Sequence, residues 1–167
     1  MKKYSLKKAF TLIELLIVIA LLGALAVGLL AAVDPFEQLK KGRDTSTRNT
    51  AAEFFNANVR FYANRGTFAG TLTGTVTASA LNGLTNEISA LAVAGELKSD
   101  FATLAGTGNL ARIFVTTPTT ESIVVCFNPE SKAFRNDQNT KYDQTGALAA
   151  GTSCPNATST SCYVCFK

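Results

Sequence analysis

The 167-residue sequence predicts an α+β chain: a long N-terminal helix, apolar first and amphipathic afterwards, packed against a small C-terminal antiparallel sheet. Three observations predict it. From Phe10 to Val33 the residues are almost all apolar and Glu14 is the sole ionisable one. The next stretch, FEQLKKGRDTSTRNTAAEFFNANVRFYANRG, carries apolar residues at helical spacing. Late in the chain, ARIFVTT and SIVVCFN are β-branched, apolar and separated by a short Pro-containing turn.

The first segment is long enough to cross a bilayer, which takes about 20 apolar residues as a helix. Lys2, Lys3, Lys7 and Lys8 precede it with no acid among them, which predicts a cytoplasmic N-terminus and everything after Val33 outside. An acid at mid-membrane costs about 2.5–3.5 kcal/mol on insertion scales. Glu14 lies nearer one end, where the cost is smaller, yet a charge kept there asks for a partner or must snorkel to the surface. A secretory signal peptide cut after Ala24-Leu25-Ala26 is a competing reading, but the acid and the apolar run beyond Ala26 count against it. An uncleaved signal anchor is another. A buried core helix is disfavoured by a segment apolar on every side.

The string KKAFTLIELLIVIALLG, a basic leader and a small residue followed by Phe-Thr-Leu-Ile-Glu and an apolar helix, resembles the type IV pilins and the pseudopilins of type II secretion. The resemblance implies a leader over residues 1–9, removed between Ala9 and Phe10 by a dedicated membrane peptidase that then methylates the Phe10 amine. Family members usually carry Gly before the cut, and here Ala9 stands there. Cleavage would create an α-amine, normally protonated near neutral pH. Two like subunits stacked with a small axial offset would set the Glu14 of one beside the amine of the next. Pairing relieves two desolvation costs and fixes register, although a buried pair need not be net stabilising.

The implied partners are therefore identical or homologous subunits, the processing enzyme, inner-membrane assembly machinery, and membrane lipid before assembly. The implied function is a structural subunit of an extracellular filament; the alternative is a periplasmic secretion pseudopilin that works as a piston. The precursor would be a single-pass membrane protein, and the mature form would sit in a cell-surface or periplasmic filament.

After the apolar segment (10–33), Asp34-Pro35 suits a break and a new helix start, with Asp34 able to cap and Pro35 fitting a first turn. The amphipathic continuation (34–66) places Ala52, Phe55, Val59 and Tyr62 on one expected buried stripe, and Gly66 marks its stop. The run Phe61-Tyr62-Ala63-Asn64-Arg65-Gly66 also resembles the end of a pilin helix, with paired aromatics before an Asn/Gly turn.

Residues 67–167 read as a globular head. The span 67–86, rich in Thr, Gly, Ala and Ser, reads as a surface loop with room for one short strand. Ile88, Leu91 and Ala92 predict a short helix stopping between Gly95 and Lys98. The spans 111–117, 122–128 and 161–166 predict three strands, joined first by Pro118-Thr119-Thr120-Glu121, with a sheet face packing on Phe55, Val59 and Tyr62.

Four cysteines late in the chain, on the expected outer side, point to disulfides. Of three possible connectivities, the one joining Cys162 to Cys165 would be strained, because the two face opposite sides of a strand. Of the two that remain, Cys126–Cys165 with Cys154–Cys162, which closes a small loop, is favoured. A zinc site wants two close cysteine pairs, and only one C-x-x-C occurs. The resemblance to secretion pseudopilins, some of which bind calcium in this general region, implies a candidate calcium site at Asp137, Asn139 and Asp143. The full loop pattern is missing, however, and these are ordinary turn residues, so no metal is expected.

No cofactor is expected either. There is no His, nucleophile elbow or phosphate loop, which argues against an enzyme. The sequence holds 16 basic and 12 acidic residues, and removing the four leader lysines brings these into balance. Bulk charge therefore gives no reason to expect nucleic-acid binding.

Overall fold

The computed structural model describes residues 10–32, 34–72, 76–149 and 154–167, and it divides into two compact units, Met1–Phe36 and Glu37–Lys167. In the first, helix α1 spans Leu12–Ala32. Its large apolar side chains are all well exposed, from Val18 at 47% to Leu12 at 82%. The helix exists because Leu and Ala, good helix formers, run with Ile and Val without a proline, and Gly23 and Gly28 are tolerated inside it. Nothing among the described residues covers it.

Helix α2 (Pro35–Arg65) begins where the Asp34 carboxylate accepts the Phe36 amide at 3.1 Å, with Pro35 in the first turn, where its missing N–H costs nothing. It ends at Gly66, whose φ of +71° suits glycine and whose amide donates to the Tyr62 carbonyl. The buried face of α2 runs through Asp44, Thr47, Ala51, Phe54, Asn58 and Phe61. This corrects the expected stripe by one residue, about 100° of rotation. Phe55 and Tyr62 are half-buried at its margin, and Val59 is 44% exposed. The physical reason is that small and polar residues line the true face. Asp44, Thr47 and Asn58 break the apolar pattern there, whereas the adjacent stripe looks more hydrophobic than it is buried.

The head sheet is antiparallel, in the order β1 (Val76–Ala80), β2 (Ile113–Thr119), β3 (Ser122–Phe127), β4 (Val164–Phe166). Strand β1 falls within the span expected to be mostly loop. The hairpin is tighter than expected. Thr119 pairs with Ser122, so Pro118 lies inside β2 at an irregularity in the register, where a missing donor does least harm. Ile113 and Val115 face the same side as Val125 and Phe127, and all four are fully buried.

The opposite face is covered as well. Phe114 meets Tyr163 edge-on at 5.6 Å, and Gly146 (φ +83°) lies so close to Val124 that a Cβ there would come within 2.4 Å of it. Strand β3 is thus buried on both sides, which is why SIVVCF reads as an unbroken apolar run rather than an alternation.

Between β1 and β2 the chain forms a 3-10 turn (Leu81–Gly83), α3 (Thr85–Val93), and the short helices α4 (Phe101–Ala105) and α5 (Thr107–Leu110). Only α3 was legible from periodicity. Four- and five-residue helices are too short to show a period, and here Phe101 and Leu110 anchor them in the core. After β3 a further turn of helix, α6 (Lys132–Arg135), is capped by Ser131, whose hydroxyl accepts the Phe134 amide.

Candidate assembly site and the head that carries it

The residues singled out at the N-terminus lie around the start of α1. Ala9 falls outside the described residues. Phe10 is 84% exposed, ahead of the first helical turn. Thr11 and Glu14 form a reciprocal capping box. The Glu14 Oε2 accepts the Thr11 amide at 2.9 Å and the Thr11 hydroxyl at 2.8 Å, while the Glu14 amide donates back to the Thr11 Oγ1 at 3.3 Å. Sequence reasoning missed Thr11, although Thr-x-x-Glu before an apolar run is a capping-box signature.

Two orphan donors of the helix start are satisfied this way, and the carboxylate sits at the positive end of the helix dipole. The second oxygen, Oε1, has no partner among the described residues. Chemically the site is a carboxylate with one oxygen held by its own helix and one left to accept a donor from outside.

The head is tied by two disulfides, Cys126–Cys165 and Cys154–Cys162. The first links directly opposed residues of β3 and β4, and the second closes a short loop before β4. In the third turn of α2 the carboxylate of Asp44, wholly buried, accepts from the Arg112 guanidinium, the Glu130 amide at 2.8 Å and the Ser131 amide at 2.7 Å. Glu130 also meets Arg43 at 2.8 Å. This cluster fixes α2 to the β2 start and to the turn after β3.

Elsewhere Glu87, on α3, accepts both the amide and the hydroxyl of Thr71. Burial by itself pushes the Glu87 carboxyl up, and the two Thr71 donations together with its own backbone amide outweigh it and hold the group below its ordinary value.

The oxygen-rich stretch before the C-terminus serves turns. The Asp143 Oδ1 accepts the Thr145 amide and hydroxyl and the Ala147 amide, and the Asp137 Oδ1 accepts the Asn139 amide. Burial raises the Asp143 carboxyl, but the donations from Thr145, Ala147 and Gly146 bring it below its usual value. Those lone pairs are spent within the loop, and no cluster of three His, Cys, Asp or Glu side chains with metal-ligand geometry occurs among the described residues.

The chain matches the family model of the prokaryotic N-terminal methylation motif over residues 4–30, which is consistent with a type IV pilin or pseudopilin leader. Neither the curated proteins nor the solved structures provide a match to this chain. A long apolar N-terminal helix with a small four-stranded antiparallel sheet is the α+β arrangement of the pilin fold. The motif supports a pilin-like or pseudopilin precursor and points to a structural subunit rather than an enzyme. It implies processing by a prepilin peptidase and assembly with other pilin subunits. Together with α1, it is consistent with a membrane-anchored precursor.

Proposed function

We propose that the chain is the structural subunit of an extracellular type IV pilus-like filament, cut between Ala9 and Phe10, methylated on the new Phe10 amine, and polymerised through α1. The observation that carries this is a methylation motif leading into a helix whose apolar surface is uncovered. Lipid covers that surface in the precursor, and neighbouring copies of α1 cover it in the polymer, so the apolar area removed from water is conserved when the subunit leaves the membrane.

Glu14 then sets the register. Its free oxygen receives the methylated amine of an adjoining subunit, while Thr11 keeps the other oxygen satisfied throughout. The two disulfides brace the β4 edge of a head that lies outside the cytoplasm; periplasm and cell surface are both oxidising, and it is the mechanical bracing that suits a surface fibre. Mass spectrometry of the mature N-terminus tests the processing. The expected peptide begins with methylated Phe10, and a start at Val27 or an intact Met1 refutes it. Deletion tests the class: loss of surface fibres supports a pilus, and blocked protein export with fibres intact supports the pseudopilin.

A further inference from the structure

The stripe of Phe55, Val59 and Tyr62, next to the core-facing stripe of α2, is only partly covered: Phe55 meets Phe166 and Tyr62 meets Phe68, while Val59 is 44% exposed. It forms one wall of an apolar cleft of about 700 Å³, closed on the other side by Pro118 and Val124 at the open end of the sheet, with Glu121 at its mouth. Exposed apolar concavities of this size mark places where something docks.

Two charged groups border it. The Lys167 ammonium is engaged: it donates to the Gly146 carbonyl at 3.3 Å and lies 4.1 Å from the centre of the Tyr142 ring. Glu121 sits on the two-residue turn between β2 and β3, is exposed, and has no side-chain partner among the described residues. The cleft therefore offers a hydrophobic hollow with one available negative charge at the rim.

The opposite flank of α2 carries the complement. Leu104 of α4 is 70% exposed and borders a shallow depression with Thr50, Glu53 and Lys98. Thr50 and Val59 are nine residues apart on one helix, which places them about half a turn from each other. Leu104 and the cleft thus lie on opposite sides of the head, with an exposed lysine, Lys98, beside the leucine.

A knob on one side and a hollow on the other cannot satisfy each other within one molecule, nor across a two-fold axis through either patch alone. They join as a heterologous contact between like copies, which propagates as an open helical polymer when the rotation between copies does not close a ring. A small-molecule site fits less well, because such sites use several convergent polar groups to orient the ligand. Here the ammonium is spent and the carboxylate stands at the mouth.

We propose that the cleft seats Leu104 of the next copy in the polymer, with Glu121 against that copy's Lys98. The opposite signs suit the contact and disfavour mispairing of like faces. This contact rests on the filament reading above and adds to it a second point of register, between the globular parts of neighbouring copies.

The test uses the full chain expressed with its processing machinery, reading sheared, sedimentable filament against total mature subunit. Glu121→Lys and Lys98→Glu each lower the filament yield severalfold, and the double reversal restores it to near wild type. Leu104→Asp lowers it at least as far, with both native disulfides still formed as evidence of a folded head. Wild-type yield from Leu104→Asp or from either single reversal overturns the contact, and so does a double reversal that fails to rescue. A small apolar ligand recovered from the cleft of wild-type filaments also overturns it. If the wild-type chain is processed yet makes no filament, the filament reading itself fails, and that outcome is distinct from all of these.

Discussion

Single residues hold the head together where backbone geometry leaves no alternative. Gly70 adopts φ +63°, and a Cβ there would stand 2.9 Å from the Glu87 carboxylate that receives Thr71. Gly70→Ala therefore meets the left-handed penalty of about 1–2 kcal/mol and also displaces Glu87, so its urea midpoint falls by at least that equivalent. Glu87 also makes stability depend on pH. Its carboxyl is lowered in the folded head, so its contribution is complete above the ordinary carboxylate range and is lost as pH falls through the lowered value. Asp143 acts in the same sense. Urea titrations from neutral to acid pH should show Glu87→Gln with lower stability at neutral pH and a shallower loss on acidification. Parallel curves for the two proteins would contradict that role. None of this was readable from the sequence, because a Gly in a Thr-rich stretch and a Glu in a short helix carry no local mark of their contact.

At the scale of elements, α2 shows what periodicity can and cannot reveal. Its extent, Pro35 to Arg65, follows from the Asp-Pro start and the Gly66 stop. Its buried face does not follow, because Asp44, Thr47 and Asn58 lie on that face: Asp44 and Thr47 are met by groups from elsewhere in the head, while the Asn58 amide donates to the Phe54 carbonyl of its own helix. For Asp44 the receivers are Arg112, Glu130 and Ser131, far along the chain and invisible to a local window. The apolar spacing of Phe55, Val59 and Tyr62 was real but marks the half-buried margin, where Phe55 meets Phe166 of β4 and Val59 stays exposed. Strands β2 and β3 were plain because burial on both faces makes them continuously apolar, whereas β1 was hidden in a Thr- and Ser-rich span. Asp44→Ala strips the carboxylate from a guanidinium that is only 17% exposed and from two amides. The expected cost is about 3 kcal/mol, the low end for a broken buried pair, since Glu130 and the Asn128 carbonyl still attend Arg112. Chemical denaturation of the head checks it, and a loss below about 1 kcal/mol would reduce the cluster to a surface ion pair.

For the whole molecule, the division at Phe36 and Glu37 separates a unit whose apolar surface needs other molecules from one that buries its own core. A chain of residues 34–167 should therefore fold alone, soluble and monomeric, with both disulfides and cooperative urea unfolding, and should not polymerise. The capping Asp34 is retained so that α2 keeps its first turn. The complementary change leaves the head intact and removes one carboxylate from the other unit. Glu14→Ala is expected to be inserted, cut before Phe10 and disulfide-bonded as in wild type. In the membrane it should be at least as comfortable, because a charge has been removed from an apolar helix. Its defect should appear only on assembly, where the methylated amine of each neighbour meets no acceptor and must be buried unpaired. Filament recovered by shearing should fall at least tenfold while mature subunit accumulates in the membrane fraction. Filaments of wild-type yield and order from Glu14→Ala would mean that apolar packing of α1 alone sets the register, and the pairing account would have to be abandoned.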